Sequence, residues 1–452
     1  MNPGHLQRCY QTIRLQASGR IGRAAVGGVL GATARLCGLL VAALLVPILL
    51  HGLGAPRYSM WLASMSLSAF VLLFDLGVIN AIVSPLAGAL GRNDHKSARR
   101  LVGVGMAVCS AAAVALIVAC VLLSKIGILS ALVPVAHGLE NERDGLILLM
   151  VILYATGIPL ALFSRIRQAA QQTHVSAAVE LVGQIGVLCC IPLLIYGDSV
   201  SLAAFVVLGV PLVVAATHAC FLFANPPQAF GGSLTSRPRY PDVMTLIRPG
   251  FAFMIMQCSG IAVTAVDPLL ASHLLDTSAV VDIGIAQRMF LPVVIMASMA
   301  LAPLWPAYSA ANAVGDHAFV RRAFMLSLAA VSAFALISVV ILLLIHEWLL
   351  LQWLGPRSPR PDFPLLFANA TWVALASIGG CGAVLLNGLG FLRFQVCMAI
   401  SLILVAPFVK IALVQFLGSS GLIWGAIIAQ VTCVIIPVFI VIFRISGRGW
   451  KS

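Results

Sequence analysis

The chain has 452 residues, 61% of them hydrophobic and 9% charged, and a mean hydropathy of +1.07. Soluble globular domains carry about 25% charged residues, so the composition excludes that class and defines an all-α polytopic membrane protein. The net charge of +13 does not indicate nucleic acid, because no basic block is long enough, or suitably interleaved with aromatics, to bind it.

The polar, basic start, residues 1–23 with Arg8, Arg14, Arg20 and Arg23, lacks the apolar core and small-residue cleavage site of a secretory signal peptide. It reads as a retained cytoplasmic segment. Apolar stretches long enough to cross a bilayer follow at 24–50, 58–82, 101–123, 145–163, 176–196, 201–223, 246–272, 283–306, 323–346, 364–386, 394–417 and 422–443, each near or above the roughly 20 residues a crossing needs. With the start inside, the great majority of Lys and Arg outside the helices fall on the cytoplasmic side, which places both termini there under the positive-inside rule.

Arg35, in GATARLCGLLVAALL, lies roughly 16 Å into the first helix at 1.5 Å per residue. That is too deep to reach the interface easily, so it is expected to face partners or a water-filled cavity. The second helix carries one charge between Tyr58 and Leu90, Asp75, and ends in Arg92, Asp94, His95, Lys96, Arg99 and Arg100. Asp75 and Glu180, in the fifth helix, lie toward the cytoplasmic halves, where capping or pairing with loop arginines competes with a coupling role. The connection 224–245 holds Pro226, Pro227, Gly231, Gly232, Pro238 and Pro241 and reads as a linker. Asp267 precedes Pro268, which removes a backbone donor. It is either a helix-end turn, or a carboxylate coupled to a cation or proton, or a partner for Arg35 or Arg288. Arg288, in DIGIAQRMFLPVV, and Lys410, in ILVAPFVKIALVQ, are in-helix cations near the external side, with snorkelling as the alternative to function and Asp282 as a further partner for Arg288. Pro303 and Pro306 around Trp305 suggest a broken helix end anchored at the interface. Ten of the 11 cysteines lie in apolar stretches without metal-like or disulfide-like spacing.

The chain repeats itself. Asp94-His95 recurs as Asp316-His317, about 222 residues later, and Tyr196-Gly197-Asp198-Ser199 corresponds to Leu417-Gly418-Ser419-Ser420. The expected division is an N-lobe at 24–223, a linker at 224–245, a C-lobe at 246–443 and a cytoplasmic tail at 444–452. Six helices per half is an even number, so both halves enter from one side as parallel repeats, with a cleft between them of the kind that holds substrate in alternating-access transporters. No Walker A pattern, other Gly-rich phosphate loop followed by Lys, or HExxH is present. The extramembrane loops offer no clustered acid, base or arginine groups for surface chemistry, so no catalytic residue, metal or cofactor is expected.

FDLGVINAIVSPLAGALGRND, IAQRMF, PLWPAYSAANAVGD and SSGLIWGAIIAQ together resemble the polysaccharide transporter branch (O-antigen and exopolysaccharide flippases) of the multidrug/oligosaccharidyl-lipid/polysaccharide (MOP) exporter superfamily. The likeness runs from about Val26 to Arg444. It implies twelve helices in two six-helix lobes, and movement of an undecaprenyl-diphosphate-linked oligosaccharide, for lipopolysaccharide or exopolysaccharide, across the bacterial inner membrane. It also implies a cationic central cavity, for which Arg35, Arg288 and Lys410 are the in-helix candidates; only Arg288 falls within a matched motif. Membrane lipids, a polysaccharide polymerase and glycosyltransferases are the implied partners. A cation-coupled drug exporter of the same superfamily, or an integral-membrane glycan polymerase or ligase, are the competing readings.

Overall fold

A helix rises 1.5 Å per residue, so an apolar helix of 50 residues would extend about 75 Å, more than twice the hydrocarbon thickness of a bilayer. The run Val26–Asp75 has that length and cannot be one crossing. In the computed structural model α1 (Pro3–Val71) bends at Gly54, whose φ of 77° and ψ of 165° leave the helical region; glycine adopts that positive φ without a β-carbon clash. Leu49 and Tyr58, Leu45 and Trp61, and Val41 and Met65 line one cavity, so the two arms of α1 run side by side as a hairpin. The structure describes residues 3–135, 137–197, 199–226, 230–237 and 240–447. The side chains of 1–25 and 443–452, where the basic start and the tail are expected, lie outside the described residues.

Eleven described helices are long and apolar enough to cross a membrane, and the hairpin at Gly54 makes the first of them two crossings, giving the twelve expected. The protein is a multi-pass membrane protein with no strand among its described residues. After the first arm of α1, the second arm continues through a 3-10 turn, Leu72–Asp75, into α2 (Val78–Ala81) and α3 (Val83–Gly91). The N-lobe is completed by α4 (His95–Lys125), the short α5 (Ile128–Leu132), α6 (Glu140–Ala169), α7 (Thr173–Tyr196), α8 (Val200–Ala204) and α9 (Val210–Ala224). The C-lobe begins with α10 (Tyr240–Gly260) and α11 (Asp267–Leu274), followed by α12 (Thr277–Leu301) and α13 (Leu304–Ala313). It ends with α14 (His317–Leu344), the short α15 (His346–Leu354), α16 (Phe363–Gly388), α17 (Leu392–Leu417), α18 (Ser419–Gln430) and α19 (Ile436–Gly447).

Three differences from the sequence-based helices have physical causes. The second helix is not continuous: Leu76 and Gly77 both take positive φ, and the Asp75 carboxylate accepts the Gly77 N–H at 2.7 Å, an Asx-type turn that competes with the helix. The eighth, expected at 283–306, already breaks after Leu301 and resumes as α13 at Leu304, next to Pro303, where the prolines around Trp305 suggested a broken helix end. Part of the 224–245 connection is not a free linker. Phe230 and Leu234 are buried in the N-lobe core, and Ser236 N–H donates to the Arg99 carbonyl at 3.1 Å.

The recurring Asp-His is a repeated turn. Asp94 and Asp316 cap α4 and α14, each accepting a backbone N–H, of Ser97 and of Phe319, at 3.0 Å. The residue before each, Asn93 or Gly315, has positive φ, and the Asp N–H reaches back to Ala89 or Ala311 at 2.9 Å.

The lobes meet in two places. At the end away from the termini, both arms of α1 share a buried core with α12, including Val46, Leu62, Val280 and Phe290; a β-carbon on Gly284 would sit 2.4 Å from Leu62 Cδ1. Toward the termini, α10 crosses the break in the second helix at Gly77 and Gly250. There a β-carbon on Gly77 would lie 1.9 Å from the Gly250 carbonyl oxygen.

Candidate substrate site

Between α1, α11, α12, α16 and α18 lies a cavity of about 370 Å³ whose polar lining comes from Thr264, Asp267, Gln287, Arg288, Asn369 and Trp372. Its chemistry begins with a proline. The stretch Ile261–Ala265 is a π-helical segment, in which carbonyls bond five residues ahead, as Ile261 does with Val266 N–H at 3.1 Å. In that register the carbonyl of Val263 would take the N–H of residue 268, and Pro268 has none. The ammonium of Lys410, from α17, takes its place, donating to the Val263 carbonyl and to Asp267 Oδ1. Gln287 Nε2 donates to the other carboxylate oxygen at 3.1 Å.

Asp267 and Lys410 are both fully buried. Lys410 therefore does not snorkel, and Asp267 pairs with it rather than with Arg35 or Arg288. A charge removed from water needs a partner and further hydrogen bonds, which Val263 and Gln287 supply. Close approach of α18 covers the lysine, since a β-carbon on Gly425 would be 2.6 Å from Lys410 Cα.

Arg288 differs in kind. Its single hydrogen bond is a long one, 3.5 Å to the Gly284 carbonyl, and no carboxylate pairs with it among the described residues. Asp282 does not bond it, and Asp282 Oδ1 is itself buried without a partner among the described residues. Arg288 also lines a second cavity of about 190 Å³ on the other side of Ala42, enclosed by Leu45, Leu49, Trp61 and Tyr58. Among the described residues the hydroxyl of Tyr58, a residue 1% exposed, has no hydrogen-bond partner, and neither has Trp372 Nε1. Sequence reasoning passed over these two donors because an aromatic residue in an apolar helix carries no signal of which wall its polar atom faces.

The remaining candidates lie elsewhere. Arg35 is exposed; it stands on the same face of α1 as Gly38 and Ala42, three and seven positions on, and those two line the small cavity. Asp75 lines a separate N-lobe cavity with Arg165. Glu180 is exposed on α7. Among the described residues no group of three His, Cys, Asp or Glu could hold a metal.

This arrangement, two six-helix lobes with a C-lobe cavity that reaches the N-lobe at Ala42, is similar to solved transporters of the MOP superfamily. The chain is similar over 96% of its length to an inward-facing multidrug resistance MATE family transporter of the MOP superfamily, at 16% identity and a TM-score of 0.70, covering 99% of that chain. It is similar to the lipid II flippase MurJ in an inward closed conformation at 12% identity and a TM-score of 0.73, over 92% of this chain and 87% of that one. The outward-facing MATE transporter matches at 14% identity and a TM-score of 0.68, over 96% of each chain. Neither a protein-family model nor a curated protein sequence matches the chain.

Proposed function

We propose that the protein is a MOP-type flippase that carries a polyprenyl-diphosphate-linked oligosaccharide, an O-antigen or exopolysaccharide repeat unit, from the cytoplasmic to the outer leaflet of a bacterial inner membrane by alternating access. The observation that carries this reading is the charge of the central cavity. Lys410 neutralises Asp267, leaving the guanidinium of Arg288 as an uncompensated cation that lines this cavity with Trp372 and the small one with Tyr58, each an unpaired donor among the described residues. Oxyanions of a diphosphate accept from all three, and a guanidinium binds them in a forked geometry. A drug cation would meet Arg288 and find the neighbouring carboxylate already paired. The structural neighbours include both a lipid-linked flippase and multidrug transporters, so the cavity's own charge supplies the preference.

Arg35, on the cavity-facing stripe of α1 but nearer the termini, would meet the diphosphate first on its way in. In this reading Asp267 and Lys410 hold the site and α11 together, and the protein performs no chemistry on the glycan. Both termini and the turns at 92–100 and 315–322 are cytoplasmic.

In a strain lacking the protein, lipid-linked oligosaccharide should accumulate in the inner leaflet. The wild-type chain should restore export, Arg288→Ala should lower it at least tenfold at equal membrane abundance, and Arg288→Lys should lose less. Normal glycan export together with drug sensitivity in the deletion strain would favour a drug exporter instead. Flipped but unpolymerised or unligated glycan would favour an enzyme.

A further inference from the structure

A third cavity, of about 400 Å³, lies on the N-lobe side and is closed by Gln257 of α10; its polar lining is Asp75, Asn80, Tyr154, Arg165 and Gln257. Its hydrogen-bonding capacity is mostly unspent. Asp75 is 5% exposed; Oδ1 accepts from Gly77 N–H, while Oδ2 has no partner among the described residues. Gln257 Nε2 is buried with no partner among the described residues. Arg165 commits Nη1 to Gln168 Oε1 at 3.1 Å and keeps its other N–H groups. Tyr154 makes one weak contact, to Met65 Sδ at 3.7 Å.

The site thus offers a free acceptor and free donors together, and the charges of Asp75 and Arg165 cancel. A phosphate would be repelled by the carboxylate and an ammonium by the guanidinium, while an apolar group would leave buried polar atoms unpaired. A sugar fits, because each hydroxyl both donates and accepts, and planar carboxylate, amide and guanidinium groups can engage neighbouring hydroxyls two at a time. The central cavity, with free donors and a net positive charge, is the opposite case.

The two cavities share a wall. Gln257 lines the N-lobe cavity and Thr264 the central one, seven residues apart along the α10 crossing, or roughly 10 Å at 1.5 Å per residue. That separation suits one or two sugar rings beyond a diphosphate.

We propose that the N-lobe cavity is a glycan subsite, in which Asp75, Gln257 and Arg165 hold the hydroxyls of the sugars nearest the diphosphate while Arg288 holds the phosphates. The proposal rests on the flippase reading and deepens it. It makes Asp75 a ligand, and it gives the transporter a means of telling a glycosylated carrier from a bare one.

The test uses the purified full-length protein in lipid nanodiscs and four probes: farnesyl diphosphate, and farnesyl diphosphate carrying a single N-acetylglucosamine, glucose or galactose. At least one glycosylated probe should bind tenfold or more tightly than the bare diphosphate. That ratio should fall to about one in Asp75→Asn, which keeps an oxygen for Gly77 N–H, and in Gln257→Leu. Arg288→Ala should weaken all probes and keep the ratio. A variant that merely folds less well would lower all affinities together without moving the ratio. Equal binding of all four probes by the wild type, or a ratio that survives both N-lobe substitutions, would overturn the subsite and leave the flippase reading standing. Wild-type protein that binds no diphosphate probe would overturn both.

Discussion

Lys410 and Arg288 show how two in-helix cations of the C-lobe come to opposite uses. Lys410 has a carboxylate, a carbonyl freed by Pro268 and complete burial; Arg288 has one long hydrogen bond and a cavity on either side. Removing one member of a buried pair strands the other's charge, at a cost of about 3–5 kcal/mol. Lys410→Met should therefore lower thermal stability in detergent by that order, and Lys410→Met with Asp267→Leu should recover most of it. If the double variant is as stable as wild type and keeps the transport activity proposed above, the pair is structural; if it is stable and inactive, Asp267 and Lys410 take part in the transport cycle. Tyr58→Phe removes a hydroxyl that bonds nothing in this structure, so stability should hold. Export should fall several-fold if that hydroxyl meets the substrate. Unchanged export in Tyr58→Phe would remove it from the site.

At the scale of the element, broken helices are repaired by side chains from elsewhere. Pro47 cannot donate to the Ala43 carbonyl four residues before it, and the indole of Trp353, on α15, donates there instead at 2.7 Å. Val263, Pro268 and Lys410 repeat the device in α10 and α11. Both repairs reach across crossings, so each irregular segment is tied to a neighbour that can hold or release it. The repeated turn is simpler, a capped helix start. Asp316→Ala should cost about 1 kcal/mol, the usual loss of an N-cap, measured as a drop in the unfolding midpoint. Hydrogen bonds from the Ser97 side chain and backbone hold the Asp94 carboxyl below its ordinary range. Its stabilising effect is therefore present at neutral pH, above the unfolded-state value, and is lost as pH falls through the lowered folded-state value. In Asp94→Asn that part of the acid sensitivity should disappear.

On the scale of the whole molecule, the lobes are sealed at the end away from the termini. His51 and Ser358, from the two lobes, stand 2.9 Å apart there. Cysteines at both positions, joined by a short bifunctional thiol reagent that spans the length of the lost imidazole, should stop export, as the proposed alternating access requires. Export that persists with the cross-link complete would show that this end need not open. The other contact has no room to grow: Gly250→Val would push a side chain into the Leu76 carbonyl, 2.5 Å from where its β-carbon must sit. It should reduce folded yield or force the lobes apart.

Much of this was legible in the chain itself. Long apolar runs report their solvent, and a bilayer fixes how many residues a crossing takes, so the twelve crossings and the division into repeated halves follow from hydropathy and from Asp94-His95 recurring as Asp316-His317. The motif around Gln287 and Arg288 likewise marked a cation that the structure puts in a cavity wall. Which charge meets which was not legible. Asp267 and Lys410 are 143 residues apart, and no local pattern distinguishes a lysine that snorkels from one that α18 covers. Nor does periodicity reveal that Tyr58, Trp372 and Gln257 keep unpaired donors, or that Arg35 stays exposed. Those outcomes depend on how helices distant in sequence pack, because burial and pairing of a polar atom are set by its neighbours in space.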